Sequence, residues 1–421
     1  MGRRCWIDVG IDEPRTDEHT VIRKGGYGTT AQMSLVPRGI LKKRWHEALG
    51  RVQAGTLTFI APDGSEHIAR GPGPGPTATF AIREWDVLSR LVTRGDIGLG
   101  EDFIAGAWET DDVERLISFF LLNLDHLEGF AHGNFLNRLG FVLHNALVRR
   151  NSVSGSRRNI EAHYDVGNDF YSLWLDETMT YSSALFRDGA RNLADAQRSK
   201  YHRILERLEK QRGSLLEIGC GWGGFAEQAA GASLDVTGLT ISPAQYEFAK
   251  KRLNGHADIR LEDYRKVGGC FDAVVSIEMF EAVGERYWPQ YFRAVAERLR
   301  QGGRAVIQTI VIRDDLFAGY RARSDFIRHY VFPGGMLPSF RRFREEAERA
   351  GLKVRDSFAF GQDYARTLRE WSARMSACEA EIAALGHDIK FLRNWQFYFG
   401  ICAAAFAVNR TDVVQVELVH A

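Results

Sequence analysis

The sequence LLEIGCGWGGFAEQAA, residues 215–230, places four glycines within six positions, between an apolar run and a helix-like pattern. Glycines at a strand-to-helix junction let the backbone approach a ligand closely, as in dinucleotide-binding folds. Here Glu217 lies inside the strand and a third glycine follows early, a pattern associated with S-adenosylmethionine (SAM) rather than with NAD. A tight turn without a ligand is the alternative, and the loop alone has only moderate specificity.

Short apolar segments alternate with amphipathic helical patterns around this loop. The segments are SLLEIG, LDVTGLT, ADIRLE, FDAVVSIE and GRAVIQTI, with helices starting near Gly224, Pro243 and Trp288. This alternation predicts an α/β fold with a parallel sheet covered on both faces. Near the carboxyl end we expect a strand in LKVRDSFAF and an antiparallel edge pair from AAAFAVN and VVQVELV. Residues about 312–338 break the alternation, which predicts an inserted lid over the carboxyl edge of the sheet.

A chain of 421 residues is too long for one ordinary core, so we expect two domains. The small, polar and basic run RRNSVSGSRRN at 149–159 is the best boundary, and it separates a unit at 36–150 from one at 151–421. The first unit is predicted as α+β, with a hairpin turn at Asp63–Gly64. Its proline-rich GPGPGP run at 71–76 is expected in neither a helix nor a central strand. Helices are predicted at 83–94, 111–123 and 134–148, and residues 1–35 are treated as a flexible extension.

The bulk composition is that of a soluble globular protein, with 26% charged and 45% hydrophobic residues. A net charge of +1 predicts no global affinity for nucleic acid. The five cysteines have no paired spacing, so neither a disulfide framework nor a metal cluster is expected, and a reducing cytoplasm is the simplest location. No apolar run reaches the length of a membrane span, and we expect no secretory leader.

Five longer motifs in order carry a resemblance to a known family. They are EAHYDVGNDFYSLWLDETMTYSSALF at 161–186, GLTISPAQ at 238–245, FDAVVSIEMFEAVGERYWPQYF at 271–292, DFIRHYVFPGGMLPS at 325–339 and FGQDYARTLREW at 360–371. Together with the IGCGWGG loop, they resemble the cyclopropane fatty acid synthase family over essentially all of residues 160–420. Residues 36–125 resemble the smaller amino-terminal, lipid-binding domain of that family more loosely.

The resemblance implies a Rossmann-like class I methyltransferase, with a mostly parallel seven-stranded sheet, that acts on the cis double bond of a phospholipid acyl chain. The alkene attacks the SAM methyl carbon, and a bound bicarbonate removes a proton so that a cyclopropane closes. Water must be excluded while the chain carries a cation. The resemblance also implies a homodimer, located in the cytoplasm and bound peripherally to the inner face of the cell membrane.

Residues are carried over where the motifs match. The cofactor positions are Tyr181, Ser182, Gly219, Gly221, Thr240, Gln245, Asp263 and Tyr264. The catalytic positions are Glu281, Tyr364, Ser183, Gln308 and Ile310, and aromatic residues expected near the substrate are Tyr164, Tyr330 and Phe332. Simpler interpretations stay open: Thr240 and Gln245 as helix-capping residues, Asp263 as a solvated loop carboxylate, and Glu281 as a first-turn carboxylate.

Three positions depart from the family pattern, all near the expected base. Ser183 replaces a cysteine, Ala282 a histidine, and Gln308 a histidine. Glutamine can bind an anion but cannot shuttle protons. These differences leave bicarbonate binding open and favour, as an alternative product, a methyl- or methylene-branched chain. An O- or N-methyltransferase and a non-catalytic lipid-binding protein are the further alternatives.

Basic and aromatic residues mark candidate membrane contacts. They lie in the runs at 149–158 and 340–344, and in the insertion with Phe317, Tyr320, Phe326 and Phe332. Basic residues beside exposed aromatic rings suit an anionic headgroup layer. A solvated helix face and a lid packed onto the core are the alternative.

Overall fold

The computed structural model describes residues 38–127, 166–186, 189–209 and 212–421. The boundary at 149–159, the helix at 134–148, the extension at 1–35 and Tyr164 therefore lie outside the described residues. None of the described helices is long and apolar enough to cross a membrane.

A four-stranded sheet lies in the amino-terminal part. In chain order the elements are α1 (Arg38–Leu49), β1 (Ala54–Ile60), β2 (Glu66–Arg70), β3 (Gly73–Ile82), α2 (Asp86–Arg94), α3 (Asp96–Ile104), β4 (Trp108–Glu109) and α4 (Val113–Leu122). The strand order is β2-β1-β3-β4, with β1 and β2 paired antiparallel across the predicted turn and β1 and β3 paired parallel. The predicted α+β character and hairpin are confirmed.

The exclusion of GPGPGP from a central strand was wrong. Residues Gly73–Pro76 form the start of β3, which lies between β1 and β4. The register with β1 shifts between Ala54 and Thr56, and β4 pairs only with Ala81 and Ile82 at the far end of β3. The prolines thus lie where β3 is paired irregularly on one side and not at all by β4, so their missing N–H groups break no regular ladder.

The second sheet has seven strands and carries the rest of the chain. Its elements are α5 (Asn168–Trp174), α6 (Leu193–Leu208), β5 (Gly213–Ile218), α7 (Gly224–Gly231), β6 (Leu234–Thr240), α8 (Pro243–Leu253), β7 (Asp258–Leu261), β8 (Phe271–Ile277), α9 (Trp288–Arg298), β9 (Leu299–Ile312), α10 (Asp314–Arg321), α11 (Phe340–Arg349), β10 (Leu352–Ala359), α12 (Gly361–Ala377), α13 (Glu379–Ala384), α14 (Ile389–Ala407) and β11 (Thr411–His420). The strand order is β10-β11-β9-β8-β5-β6-β7, and all pairs are parallel except those of β11.

Alternate residues of the central strands enter two separate cores. Leu215 packs with α6, α7 and α8 on one face, whereas Leu216 packs with α9 and α11 on the other. This alternation follows from the period of two in a strand, and it explains why the strands read as continuous apolar runs. The predicted class I α/β fold and its doubly covered sheet are confirmed.

The predicted strand AAAFAVN at 403–409 was wrong. Residues up to Ala407 form the last turns of α14, and β11 pairs with β9 and β10 instead. A short apolar run cannot distinguish a buried helix from a buried strand. Here the run continues the apolar face of a 19-residue helix whose Phe397, Phe399 and Phe406 are buried.

Candidate active site

The described residues enclose a cavity of about 1470 Å³ beyond the carboxyl ends of β5, β6, β8 and β9. The glycine loop and the ends of these strands line one region of it. Residues 313–337, between β9 and α11, line a second region, and apolar side chains of the amino-terminal part line a third. Open α/β sheets bind ligands at this edge, so the fold places a large ligand site where the sequence predicts one.

The loop glycines have different local roles. Gly219, Gly221 and Gly223 all have positive φ values of 84°, 53° and 83°. A Cβ on Gly219 would lie 2.9 Å from Met279 Cγ, whereas a Cβ on Gly221 would meet nothing within 4 Å. Gly219 therefore serves close packing, and Gly221 leaves open space at the cavity wall.

Glu217 lies in the strand before the loop and lines the cavity. Its side chain is buried, and one carboxylate oxygen has no hydrogen-bond partner among the described residues. Burial raises the pKa of Glu217 to about 8, although the charge of Lys200 opposes this shift. A buried polar atom without a partner at a cavity wall is suited to bind a polar ligand group.

Lys200 on α6 is fully buried beside the cofactor positions, and the sequence analysis missed it. Its Nζ donates to Ser182 Oγ at 2.6 Å. Burial lowers the pKa of Lys200 to about 7, opposed by the charges of Glu278, Asp176 and Glu217. The neighbouring Tyr181 donates its hydroxyl to Tyr398 of α14 at 2.9 Å and lines the cavity together with Ser182.

The residues after β6 also converge on the cavity. Thr240 Oγ1 donates to Gln245 Oε1 at 2.9 Å, and both side chains are buried in the cavity wall. The amino-terminal cap of α8 is Ser242, whose Oγ accepts from the backbone N–H of Gln245. The capping interpretation therefore belongs to Ser242, and the side chains of Thr240 and Gln245 contact each other.

Asp263 is buried, so its interpretation as a solvated carboxylate was wrong. Arg265 donates Nε to its Oδ1 at 2.8 Å and Nη2 to its Oδ2 at 2.5 Å. Burial opposes ionisation, but the hydrogen bonds from Arg265 outweigh it and hold the pKa of Asp263 below its ordinary value. Tyr264 lines the cavity beside it, and burial raises the pKa of Tyr264 to about 12.

A second carboxylate, Glu278, accepts hydrogen bonds from three of the residues that the sequence assigns to catalysis. Its Oε1 accepts from the backbone N–H of Ser183 at 2.9 Å and from Gln308 Nε2 at 2.7 Å. Its Oε2 accepts from the Tyr364 hydroxyl at 2.6 Å. Glu278 follows β8 directly and lines the cavity. Burial raises the pKa of Glu278, while Lys200, Tyr364 and Gln308 lower it.

Glu281 lies one turn further on, in a short 3₁₀ helix at Phe280–Ala282. Its Oε1 accepts from the backbone N–H of Ile310 and from Thr309 Oγ1, the latter at 3.0 Å. Its Oε2 has no hydrogen-bond partner among the described residues. Burial, followed by the charge of Glu278, raises the pKa of Glu281 to about 8. A half-buried carboxyl that lines the cavity and accepts from Ile310 and Thr309 is unlike a solvated first-turn carboxylate.

Comparison with known proteins identifies the family. The family model described as mycolic acid cyclopropane synthetase matches residues 151–416. The chain belongs to that family. It is 35% identical over 405 residues to the tuberculostearic acid methyltransferase UfaA1 of Mycobacterium tuberculosis, covering 91% of this chain and 94% of that protein. It is 34% identical over 344 residues to the cyclopropane-fatty-acyl-phospholipid synthase of Escherichia coli, covering 80% and 87%.

Solved structures agree with this assignment. The cyclopropane synthase MmaA2 of Mycobacterium tuberculosis matches with a TM-score of 0.59 at 28% identity, over 62% of this chain and 97% of that one. The mycolic acid cyclopropane synthase CmaA1, complexed with S-adenosylhomocysteine (SAH) and CTAB, matches with a TM-score of 0.58 at 30% identity, with the same coverage. The present family member is a SAM-dependent methyltransferase.

The cofactor end of the methyltransferase cavity fits SAM. Gly221 leaves space, Glu217 presents an unpartnered oxygen, and Thr240 and Gln245 line the wall beside them. These residues, with Tyr181 and Ser182, would hold the nucleoside and amino-acid parts of SAM. The loop needs no phosphate cradle for this ligand.

The cavity residues fit SAM, but they do not fit bicarbonate in the same way. The backbone N–H of Ser183, Gln308 Nε2 and the Tyr364 hydroxyl all donate to Glu278, and the backbone N–H of Ile310 donates to Glu281. An added anion would have to displace one of these carboxyl groups or lie beside both. The residues present therefore do not fit a bicarbonate held by these donors.

The aromatic residues predicted to lie near the substrate or the membrane do not all line the cavity. Phe332 lines the cavity and contacts Tyr398, with ring centroids 6.0 Å apart. Tyr330 is not among the residues that line the cavity within the described ranges, and its hydroxyl binds Glu101 of α3. Phe317 and Phe326 are buried, so these aromatic side chains face the core rather than solvent. The packed-lid interpretation is the better one for them.

The basic run at 340–344 lies on α11 and is largely paired. Arg342 binds Glu345 and Glu346, each at 2.7 Å, and Arg344 lies 3.7 Å from Glu348. Intrahelical partners thus neutralise much of the charge predicted to meet a membrane. The basic run at 149–158 lies outside the described residues.

Proposed function

We propose that this methyltransferase transfers a methyl group from SAM to a cis double bond in the acyl chain of a membrane phospholipid. The observation that carries the proposal is the single cavity with two chemically different regions. The polar region fits SAM, and the apolar region includes Ile117, Phe120, Leu121 and Leu127 from α4 and the residues after it. One small ligand needs about 300–1,000 Å³, and the cavity of about 1470 Å³ also has room for a long chain.

The apolar wall suits the chemistry of an alkene. An alkene is a weak nucleophile, and the carbocation that follows methylation is destroyed by water. The π faces of Tyr364 and Phe332, both at the cavity, stabilise nearby positive charge. An O- or N-methyltransferase would need none of this apolar length.

The cation yields one of two product types. Loss of a proton from the new methyl group closes a cyclopropane, which is the product implied by the family resemblance. The second type is branched. Loss of a proton from a neighbouring chain carbon gives a methyl-branched alkene, whereas a 1,2-hydride shift to the cation followed by loss of a methyl proton gives a methylene branch. The second type is favoured by Glu278, since the carboxylate beside Tyr364 replaces the arrangement expected for an external anion.

Deuterium labelling tests both the reaction and the product. The full-length protein is incubated with SAM carrying a CD₃ group and with vesicles of a cis-monounsaturated phosphatidylglycerol, and the released fatty acids are analysed by mass spectrometry. A product that has lost one deuterium from the added methyl is a ring or a methylene branch, which fragmentation separates. A product that retains all three is a methylated alkene. No gain of label from any unsaturated lipid overturns the proposal.

Membrane contact and dimerisation belong to the same proposal. The substrate lies in a bilayer, so the protein must bind a lipid surface at least transiently. Flotation of the protein with anionic vesicles, compared with neutral ones, measures this contact. Light scattering of the purified chain measures whether it is a dimer.

A further inference from the structure

We propose that the carboxylate of Glu278 is the proton acceptor of the reaction and makes it independent of bicarbonate. The inference rests on the proposed methylation of an alkene. It assigns a catalytic role to a residue that the sequence motifs did not single out. Its basis is the set of contacts that converge on Glu278 and the backbone conformation that holds it.

The carboxylate of Glu278 occupies the position expected for a bound anion. Three donors from separate parts of the chain point at it: Ser183 N–H, Gln308 Nε2 and the Tyr364 hydroxyl, at 2.9, 2.7 and 2.6 Å. These are the groups that the resemblance would assign to bicarbonate. Their sequence separations from Glu278 are 95, 30 and 86 residues. The protein thus supplies the anion from its own chain.

Hydrogen bonds on the side away from Glu278 fix the orientation of the Gln308 amide. Gln415 of β11 donates Nε2 to Gln308 Oε1 at 3.0 Å, and Arg203 of α6 donates to Gln415 Oε1 at 2.7 Å. Since its oxygen is occupied by Gln415, Gln308 presents its amide N–H groups toward Glu278. The buried Lys200 supplies a compensating positive charge. The carboxylate is therefore solvated by protein dipoles in place of water.

The backbone at Glu278 adopts a strained conformation. Its φ value is 49°, a conformation that glycine adopts freely and glutamate rarely. Its own N–H donates to Gln308 O at 2.8 Å, which holds the turn in place. A non-glycine residue with positive φ that also buries a carboxylate combines two unfavourable features, and such combinations concentrate at functional sites.

The chemical step balances with Glu278 as the base. SAM supplies the methyl group: the S–CH₃ bond breaks, a C–C bond forms to one alkene carbon, and the other alkene carbon becomes a cation. A C–H bond of the added methyl, for a ring, or of a chain carbon adjacent to the cation, for an alkene, then breaks, and its proton moves to a carboxylate oxygen of Glu278. The electron pair forms the third ring bond or a new C=C bond. Burial raises the pKa of Glu278, which strengthens it as a proton acceptor.

The first test uses Glu278→Gln in the full-length protein, with CD₃-labelled SAM and unsaturated vesicles in buffer freed of carbon dioxide. Glutamine retains the shape and can still accept from Ser183 and Gln308, but it cannot take a proton. Loss of a general base lowers the turnover rate by about 100-fold or more, whereas SAM affinity measured by calorimetry stays near that of the unchanged protein. Glu346→Gln, which alters a buried carboxylate on α11 remote from the cavity, is the matched control with full turnover.

The second test uses Glu278→Gly, which suits the positive φ and frees all three donors. We expect slow turnover in carbon dioxide-free buffer and a saturable increase on adding bicarbonate. The unchanged protein shows no such increase. Full turnover of Glu278→Gln, or bicarbonate dependence of the unchanged protein, overturns the role of Glu278. Absence of methyl transfer by the unchanged protein at every bicarbonate concentration overturns the proposed function instead.

Discussion

At the residue scale, a substitution of Gly221 tests whether the glycine loop binds SAM. An alanine there would place its Cβ in open space at the cavity wall, where SAM is expected. We expect Gly221→Ala to weaken SAM binding by more than about tenfold, with a loss of stability limited to the cost of positive φ, about 1–2 kcal/mol. Calorimetry measures the affinity and chemical denaturation the stability. Unchanged SAM affinity would place the cofactor elsewhere.

Gln308 gives a second test at the residue scale. Sequence analysis singles it out as a departure from a histidine, so Gln308→His is the obvious reversion. With Glu278 in place, the donors remain occupied, and we expect no gain in bicarbonate dependence from Gln308→His alone. The double variant with Glu278→Gly should respond to bicarbonate more strongly than Glu278→Gly does. Turnover measured across a bicarbonate series distinguishes the two; dependence in the single variant contradicts the reasoning.

The residue scale also shows where sequence reasoning stops. Motif matching found Glu281, Tyr364 and Gln308, because each lies within a contiguous string. It missed Glu278, which lies in one of the same strings but gains its role from a positive φ and from distant partners. Neither feature has a local sequence signal, although an acidic residue at the carboxyl end of a strand is a cue that deserved weight.

At the scale of elements, residues 312–338, which the sequence predicts as a lid, contact the amino-terminal part through Asp96. The carboxylate of Asp96, the first residue of α3, accepts from the N–H of Phe326 at 2.9 Å. Burial, followed by the charge of Asp325, raises the pKa of Asp96 from 3.8 to about 7, with Arg328 opposing the shift. The carboxyl of Asp96 is therefore protonated to a greater extent in the folded protein than in the unfolded chain between about pH 4 and 7.

The raised pKa of Asp96 determines the direction in which its contribution to stability changes with pH. Because a raised carboxyl pKa favours the folded state only while the group is protonated, the contribution of Asp96 to stability should fall as the pH rises from about 4 to 7. Asp96→Asn should remove that part of the slope. Denaturation midpoints at a series of pH values measure it, with Asp235→Asn at an exposed strand position as the control. An unaltered slope in Asp96→Asn contradicts the assignment.

Helices and strands were predicted correctly where the hydrophobic pattern was long, and incorrectly where the apolar run was short. The helix starts at Gly224, Pro243 and Trp288 were predicted correctly, because glycine or proline marks them or a strand precedes them. The run at 403–409 was misassigned because its six consecutive apolar residues fit either period. The long α14, which includes residues 403–407, packs against α4 of the amino-terminal part and against β11, and no local pattern encodes this packing.

At the scale of the whole molecule, α14 joins the two parts into one core. The apolar cluster that includes Trp45, Phe80 and Phe119 of the amino-terminal part also contains Phe397 and Phe399 of α14. Hydrogen bonds also stabilise the packing of α14 against the amino-terminal part. Arg393 of α14 donates to Phe103 O at 2.5 Å and to Trp108 O at 3.2 Å. Because apolar residues from the amino-terminal part also line the cavity, this packing should govern access of the lipid.

Gly400 tests that packing, since it lies where α14 meets α4. A Cβ there would lie 2.5 Å from Val113 Cγ1 and 3.3 Å from the backbone nitrogen of Glu114. Alanine in a helix is favoured over glycine by about 1 kcal/mol, yet overpacking costs about 1–3 kcal/mol. We expect Gly400→Ala to lower the free energy of unfolding and the turnover on vesicles, while SAM affinity is unchanged. Gly231→Ala, at a helix position with nothing within 4 Å of the added Cβ, should be neutral or stabilising. If Gly400→Ala is stabilising as well, the helices are not in close contact there and lipid access does not depend on their packing.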